Sequence, residues 1–202
     1  MVTEIFPAHI IAIICGYLVG SVPFGLVLTR IAKLGDIRDI GSGNIGATNV
    51  LRTGNKMLAL ATLLLDSGKG AAAALILGSF DPLYGLIGGG MAILGHNFPI
   101  WLKFKGGKGV ATTLGVLIAL AWPVGIAACA TWMLTAFVFR ISSLAALVAL
   151  ATSPVCAWWL LADPGLTILA ALLAILSFIR HHENIARLMK GEETKIGKQK
   201  GD

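Results

Sequence analysis

The chain has 202 residues, of which 56% are apolar and 13% charged, and its formal net charge is +6. About half the usual charged share excludes a disordered chain and an ordinary cytosolic enzyme. Three cysteines without metal-type spacing (Cys15, Cys129, Cys156) exclude a disulfide scaffold and read as buried free thiols. The length suits about seven membrane helices of roughly 20 residues joined by short loops.

In chain order, residues 5–29 carry no charge and are long enough to cross a bilayer. A cleavable signal peptide would begin with positive charge, whereas this chain begins Met-Val-Thr-Glu, so the segment reads as a retained helix. A polar stretch covers residues 30–56. The second apolar segment, 57–80, is interrupted by Asp66 and Lys69, and Asp81-Pro82 predicts a turn. A third segment covers 83–102, followed by the basic loop 103–108. Residues 109–139 form one uncharged run that breaks near Trp122-Pro123 into a short fourth span of about 14 residues and a fifth. Arg140, a sixth span over 141–162, a turn at Asp163-Pro164-Gly165 and a last span over 166–179 complete the pattern, before a polar, basic tail.

The positive-inside rule decides the break. With seven spans, Arg30, Lys33, Arg38, Arg52, Lys56, Lys103, Lys105, Lys108, Arg140 and the tail share one side. Glu4, Asp81 and Asp163 lie on the other, and Lys69 alone falls within a span. The expected fold is therefore an all-α polytopic membrane protein, some of its helices short or broken, with the N-terminus out and the C-terminus in. Residues 1–202 read as a single integral membrane domain without internal repeats.

Residues 36–52 are the richest in chemistry. Gly41, Gly43 and Gly46 match G-x-G-x-x-G, and Asp66 lies about 20 residues on, but no strand precedes the motif, which removes the dinucleotide reading. Glycines still let backbone amides approach an anion, and a helix start adds partial positive charge. Ser42, Asn44, Thr48 and Asn49 offer hydrogen bonds, and Arg52 offers a bidentate phosphate partner. A capped loop with Arg52 as an interfacial anchor fits the local pattern equally well. Lys103-Phe-Lys-Gly-Gly-Lys-Gly109 is a second glycine-rich basic loop on the same expected face. It lacks the spacing and hydroxyl of a P-loop, and it suits either an anion or a simple membrane anchor.

Asp66 and Lys69 stand at i, i+3 and should pair in the bundle interior. His181 and Asn184 stand at i, i+3 at the inner end of the last span, where a histidine can orient a hydroxyl or accept its proton. His96-Asn97 reads as a structural helix end. The acyltransferase H-x-x-x-x-D pairing, the G-x-S-x-G elbow and the H-E-x-x-H site are all missing. A reaction here would need an already activated substrate.

Taken together these segments resemble the bacterial membrane glycerol-3-phosphate acyltransferases that use acyl phosphate as donor. The resemblance rests on Gly20-Ser-Val-Pro-Phe-Gly25, residues 36–52, Leu64-Leu-Asp-Ser-Gly-Lys-Gly70, Gly95-His-Asn-Phe-Pro99, Phe104-Lys-Gly-Gly-Lys-Gly-Val-Ala-Thr112 and Arg180-His-His-Glu-Asn-Ile185, in that order. It implies transfer of a fatty acyl group from acyl phosphate to the sn-1 hydroxyl of glycerol 3-phosphate, giving lysophosphatidic acid and phosphate. It further implies a seven-helix protein of the cytoplasmic (inner) membrane, with its site on the cytoplasmic face. Carried over by position, the catalytic residues are Ser42, Arg52, Lys108, His181 and Asn184. The substrate-binding positions are Gly43, Asn44, Gly46, Thr48, Asn49, Gly106, Gly107 and Gly109. His182 departs from the arginine common at its position.

No cofactor or metal and no nucleic acid is implied. The expected partners are the two phosphate-bearing substrates and the lipid bilayer. A partnership with the soluble enzyme that makes acyl phosphate is compatible with the resemblance, and no motif marks it. Direct attack by the glycerol hydroxyl suits a mixed anhydride, with Ser42 positioning phosphate and Arg52 and Lys108 neutralising charge. A transporter or channel for a phosphorylated solute is the rival class. Polar motifs confined to one face and the lack of an inverted repeat favour the enzyme.

Overall fold

A computed structural model describes residues 2–196, with side chains from residue 7 onward; Glu4 and the last tail lysines lie outside those side chains. Among the described residues every regular element is helical. The first apolar run, expected as one helix, is two: α1 (Val2–Gly20) and α2 (Phe24–Ile31). They are separated at Ser21-Val22-Pro23, where proline lacks the N–H that would continue the ladder. Together, Pro7–Ile31 remain long and apolar enough to cross a membrane.

A 3-10 turn (Ile37–Asp39) and the short α3 (Ala47–Leu51) follow, then α4 (Lys56–Gly78) and α5 (Pro82–Asn97). Asn55 caps α4 by accepting from Leu58 N at 3.0 Å, and Asp81 caps α5 by accepting from Leu83 N at 2.8 Å. Helix α5 stops at Asn97, short of the expected Leu102, because Phe98 precedes Pro99 and leaves helical geometry. A second 3-10 turn (Ile100–Leu102) leads into the basic loop. The long uncharged run does break, at Ala121, into α6 (Val110–Leu120) and α7 (Trp122–Phe139), with Pro123 in the first turn of α7. Three helices remain: α8 (Ser142–Leu161), α9 (Pro164–Arg180) and α10 (His182–Met189).

The α4, α7 and α8 helices are, like Pro7–Ile31, long and apolar enough to span a bilayer. With the bent α9–α10 pair the spans number up to five; α10 turns 65° away from α9. Helix α1 packs on α5, α4 packs between α5 and α6, and α7, α8 and α9 pack in sequence. Close helix contact rests on glycine, as membrane bundles require. A Cβ on Gly20 would lie 1.9 Å from the Ala92 carbonyl oxygen, and one on Gly115 2.1 Å from that of Ser67. The outward faces carry Phe80, Phe137 and Trp159, as contact with hydrocarbon demands. The cysteines correct their expectation: all are free, but Cys15 is exposed and the other two are half-buried. Their helices turn those faces outward, and in a membrane protein the outside is apolar too.

Candidate active site

The first glycine-rich loop is pinned from beneath. Ile37, Ile45 and Val50 bury against Leu26 of α2 and Ala59 of α4. Gly25 lets the loop backbone press onto α2, since a Cβ there would stand 2.0 Å from the Ile45 carbonyl oxygen. The 3-10 turn is capped by Asp36, which accepts from Arg38 N at 3.0 Å and pairs with Arg38 and Arg30 at 2.6 and 3.2 Å. The Arg38 guanidinium holds the Asp36 carboxyl well below the usual carboxylate range.

Inside the loop, the buried Asn49 amide organises everything. Its Nδ2 donates to the carbonyls of Ile37 (2.8 Å), Ile40 (3.1 Å) and Asn44 (2.8 Å), and its Oδ1 accepts from Ser42 N at 3.0 Å. Arg52 Nη1 lies 3.4 Å from the same Oδ1. Gly41 (φ 57°) adopts the left-handed conformation under this contact, where a Cβ would meet Asn49 and Arg52 at 2.4 and 2.6 Å. Ser42 and Thr48 are exposed, Thr48 Oγ1 lying 3.2 Å from Ser142 Oγ on α8. Asn44 accepts from Ile45 N. Asn49 therefore builds the loop that carries Ser42 and Arg52, rather than presenting its own amide outward.

The second loop is locked by its backbone. Gly106 N donates to the Asn97 carbonyl at 3.1 Å and Gly107 N to the His96 carbonyl at 3.0 Å. Arg180, at the end of α9, donates to the carbonyls of Gly106 and Gly107 at 3.0–3.2 Å. The amides expected to cradle an anion are thus already paired to the end of α5. The glycines serve close approach instead: a Cβ on Gly107 would lie 2.1 Å from His96 Nε2. Gly109, at φ 77°, opens α6. Lys103 and Lys105 of this loop are exposed, and Lys108 is half-buried and turned towards α10.

Lys108 Nζ donates to Asn184 Oδ1 on α10. Asn184 Nδ2 donates to Glu193 Oε1 at 2.6 Å; Arg187 Nε pairs with Glu193 Oε2 at 2.6 Å, and Ser143 Oγ donates to Oε1 at 2.9 Å. Burial pushes the Lys108 ammonium down to about 8, with Arg187 acting the same way and Glu193 opposing. Burial also lowers the Arg52 guanidinium, against Glu193. His181, buried at the bend past the end of α9, places Nδ1 2.8 Å from the Ser177 carbonyl oxygen. A carbonyl only accepts, so Nδ1 carries the proton and Nε2 keeps a lone pair. Burial lowers His181 to about 4, with Lys108 adding to the effect, and the ring is neutral near pH 7. Lys108 and Asn184 are in direct contact, and the field of Glu193 reaches Arg52 and His181 as well.

The model of the family described as "Glycerol-3-phosphate acyltransferase" matches residues 10–191. The chain belongs to the glycerol-3-phosphate acyltransferase family. The glycerol-3-phosphate acyltransferase of Rhodospirillum rubrum is 62% identical, over 98% of this chain and 96% of its own length. That of Paramagnetospirillum magneticum is also 62% identical, over 92% of each. Two crystal structures of PlsY, an integral membrane glycerol 3-phosphate acyltransferase, share the fold. The glycerol 3-phosphate form superposes with a TM-score of 0.89 at 34% identity, over 94% of this chain and 96% of that one. The lysophosphatidic acid form gives 0.85, also at 34% identity, over 94% of this chain and 95% of that one. This chain is an integral membrane acyltransferase.

Three features of the acyltransferase escape sequence reading. Asp66 and Lys69 pair at 2.7 Å as their spacing suggests, but Lys69 Nζ also donates to the Val22 carbonyl and lies 2.9 Å from His96 Nδ1. That buried network sits directly under Gly107, so His96 supports the second loop. Arg180 stands in the sequence at the head of the polar, basic tail, whereas in the structure it clamps that loop. Glu193 stands in a basic tail, and no local pattern marks it as buried. Only its position beyond the amphipathic α10 hints that the chain could fold back.

Proposed function

We propose that this acyltransferase takes a fatty acyl group from acyl phosphate and places it on the sn-1 hydroxyl of glycerol 3-phosphate. Lysophosphatidic acid and phosphate leave. The observation that carries the reading is the contact of Lys108 with Asn184, which joins the second glycine-rich loop to α10 beside Arg187 and Glu193, two charges whose field also reaches Arg52. Cationic groups so grouped suit substrates that both bear phosphate. Beside them lies an apolar groove of about 350 Å³, lined by Leu144, Leu147, Phe178, Ile185, Leu188 and Met189 among others, which suits an acyl chain. PlsY, at 34% identity, has a glycerol 3-phosphate form and a lysophosphatidic acid form, and this also supports the reading.

The glycerol hydroxyl attacks the acyl carbon directly, and the C–O bond to phosphate breaks. Lys108 and Arg52 stabilise the developing negative charge, Ser42 positions phosphate, and His181 and Asn184 orient the acceptor. Nε2 of His181 can accept a hydrogen bond from the hydroxyl. With a pKa held near 4, this ring is a weak proton acceptor. The proton therefore passes to the departing phosphate, which leaves as hydrogen phosphate. The exposed Gly43 and Thr48 and the half-buried Asn44 and Gly46 of the first loop contact substrate phosphate. Asn49, Gly106, Gly107 and Gly109 shape the two loops. The whole chain acts as one domain in a bacterial inner membrane, with seven spans, the N-terminus outside and the site at the cytoplasmic face. The clustering of Lys and Arg in the loops at one end supports that orientation.

Purified protein in detergent, given acyl phosphate and glycerol 3-phosphate, is expected to release phosphate in step with 1-acyl lysophosphatidic acid. Acylation from a thioester donor alone, or a stable acyl group trapped on Ser42, would contradict the proposal.

A further inference from the structure

We infer that Glu193 is a positioning residue of the acyltransfer site, delivered by the segment after α10 to fix the amide of Asn184 and, through it, Lys108. The inference rests on the site proposed above. Helix α10 ends at Met189; just beyond it Gly191, with a left-handed φ of 73°, reverses the chain, and Glu192 N donates to the Arg187 carbonyl at 2.8 Å. The returning segment is tied to the junction of α7 and α8, where Ile196 N donates to the carbonyl of Arg140, the residue that caps the end of α7, at 2.6 Å. Between these anchors the Glu193 side chain is only 9% exposed. A buried carboxylate is costly unless its oxygens are satisfied. Here Oε1 accepts from Asn184 and Ser143, and Oε2 from Arg187.

The chemistry of these partners fixes a direction. A carboxylate only accepts, and an ammonium only donates. The Asn184 amide stands between them, so its nitrogen must face Glu193 and its oxygen must face Lys108. With Glu193 absent, the amide is free to flip and Lys108 loses its fixed acceptor. The carboxylate also holds Arg187 and joins three elements, α8, α10 and the returning tail, around one point.

Steady-state kinetics on the full-length protein in detergent test this, with melting temperature as the folding control. Glu193→Ala is expected to lower kcat about tenfold or more. Glu193→Gln retains an oxygen that accepts from Asn184 and Ser143, and it is expected to recover most of that loss. Lys108 is faced by Arg180, Glu183, Arg187 and Glu193. Removing one of the two acidic neighbours should therefore move the alkaline limb of the Glu193→Gln pH profile to lower pH, a change that loosened packing alone would not produce. Three results would overturn the inference: an unchanged kcat in folded Glu193→Ala, a lower KM for glycerol 3-phosphate at unchanged kcat (a carboxylate that merely occupies the substrate's place), or a Gln variant as impaired as the Ala variant. Lys108→Ala in the same assay separates the two levels. Full activity there overturns the site and this inference together, whereas an inactive Lys108→Ala beside a normal Glu193→Ala overturns this inference alone.

Discussion

The two glycine-rich loops have similar compositions and are built in opposite ways. The first is held by a side chain: Asn49 gathers three carbonyls and one amide, and the glycines bend around it. The second is held by its own backbone. Its amides bond to the end of α5, its carbonyls bond to Arg180, and its glycines pass over His96 without room for a Cβ. In the first loop the polar groups of Ser42 and Thr48 remain exposed, whereas in the second the half-buried Lys108 is the lysine turned to α10. Glycine beside basic residues therefore means different things in one molecule: in one loop it shapes a surface, and in the other it permits a rigid seat for Lys108.

Substitutions can break this contrast, and the largest effect falls on Lys108 itself. Lys108→Ala should lower kcat/KM by ~10³-fold, the scale of removing one donor to a developing oxyanion. Gly107→Ala comes next. Its Cβ would stand 2.1 Å from a buried ring nitrogen, so the loop must move. It should lose about 1–3 kcal/mol of stability, the range for overpacking, together with most activity, as read by thermal melting and phosphate release. Asn49→Ala leaves the Ile37, Ile40 and Asn44 carbonyls and the Ser42 amide without this partner. A loss of about 1–3 kcal/mol is expected, with a raised KM for glycerol 3-phosphate and a smaller change in kcat. Gly46→Ala should change least in stability. Gly46 has a φ of −85°, and the nearest atom to an added Cβ is Asn44 Nδ2 at 3.7 Å. A folded Gly46→Ala enzyme with a raised KM would mark that position as a place where substrate, not protein, comes close. Equal destabilisation at Gly46 and Gly107 would dissolve the contrast.

The pH profile sharpens it further. Lys108, held near 8, must be charged to bind phosphate, so activity should fall as pH rises through about 8. His181, held near 4, stays neutral above that value and sets no limb near neutrality. An acid limb near 6.5, the ordinary histidine range, would instead assign the proton to an unperturbed histidine.

Much of the helical pattern was legible because apolar length and proline report backbone directly. Asp81-Pro82, Asp163-Pro164 and the break before Pro123 all fall where the residues put them. The break at Ser21-Val22-Pro23 is hidden inside an unbroken apolar run, since hydropathy does not register a missing N–H. At the candidate site, residue types single out segments but not the contacts those segments make. Whether a glycine amide faces a ligand or a helix end depends on contacts between distant segments: His96 and Asn97 lie about ten residues from Gly106 and Gly107, and Arg180 lies more than seventy away. Glu193 was invisible for the same reason, because its burial depends on a chain reversal at Gly191 and on α8.

The central claim is that Lys108 of the second loop and Asn184 of α10 act as one unit. A double-mutant cycle measures it: kcat/KM for Lys108→Ala, Asn184→Ala and the pair, with folding checked by melting. The account predicts strong coupling, the double variant being little worse than Lys108→Ala alone. Losses that simply multiply would contradict it.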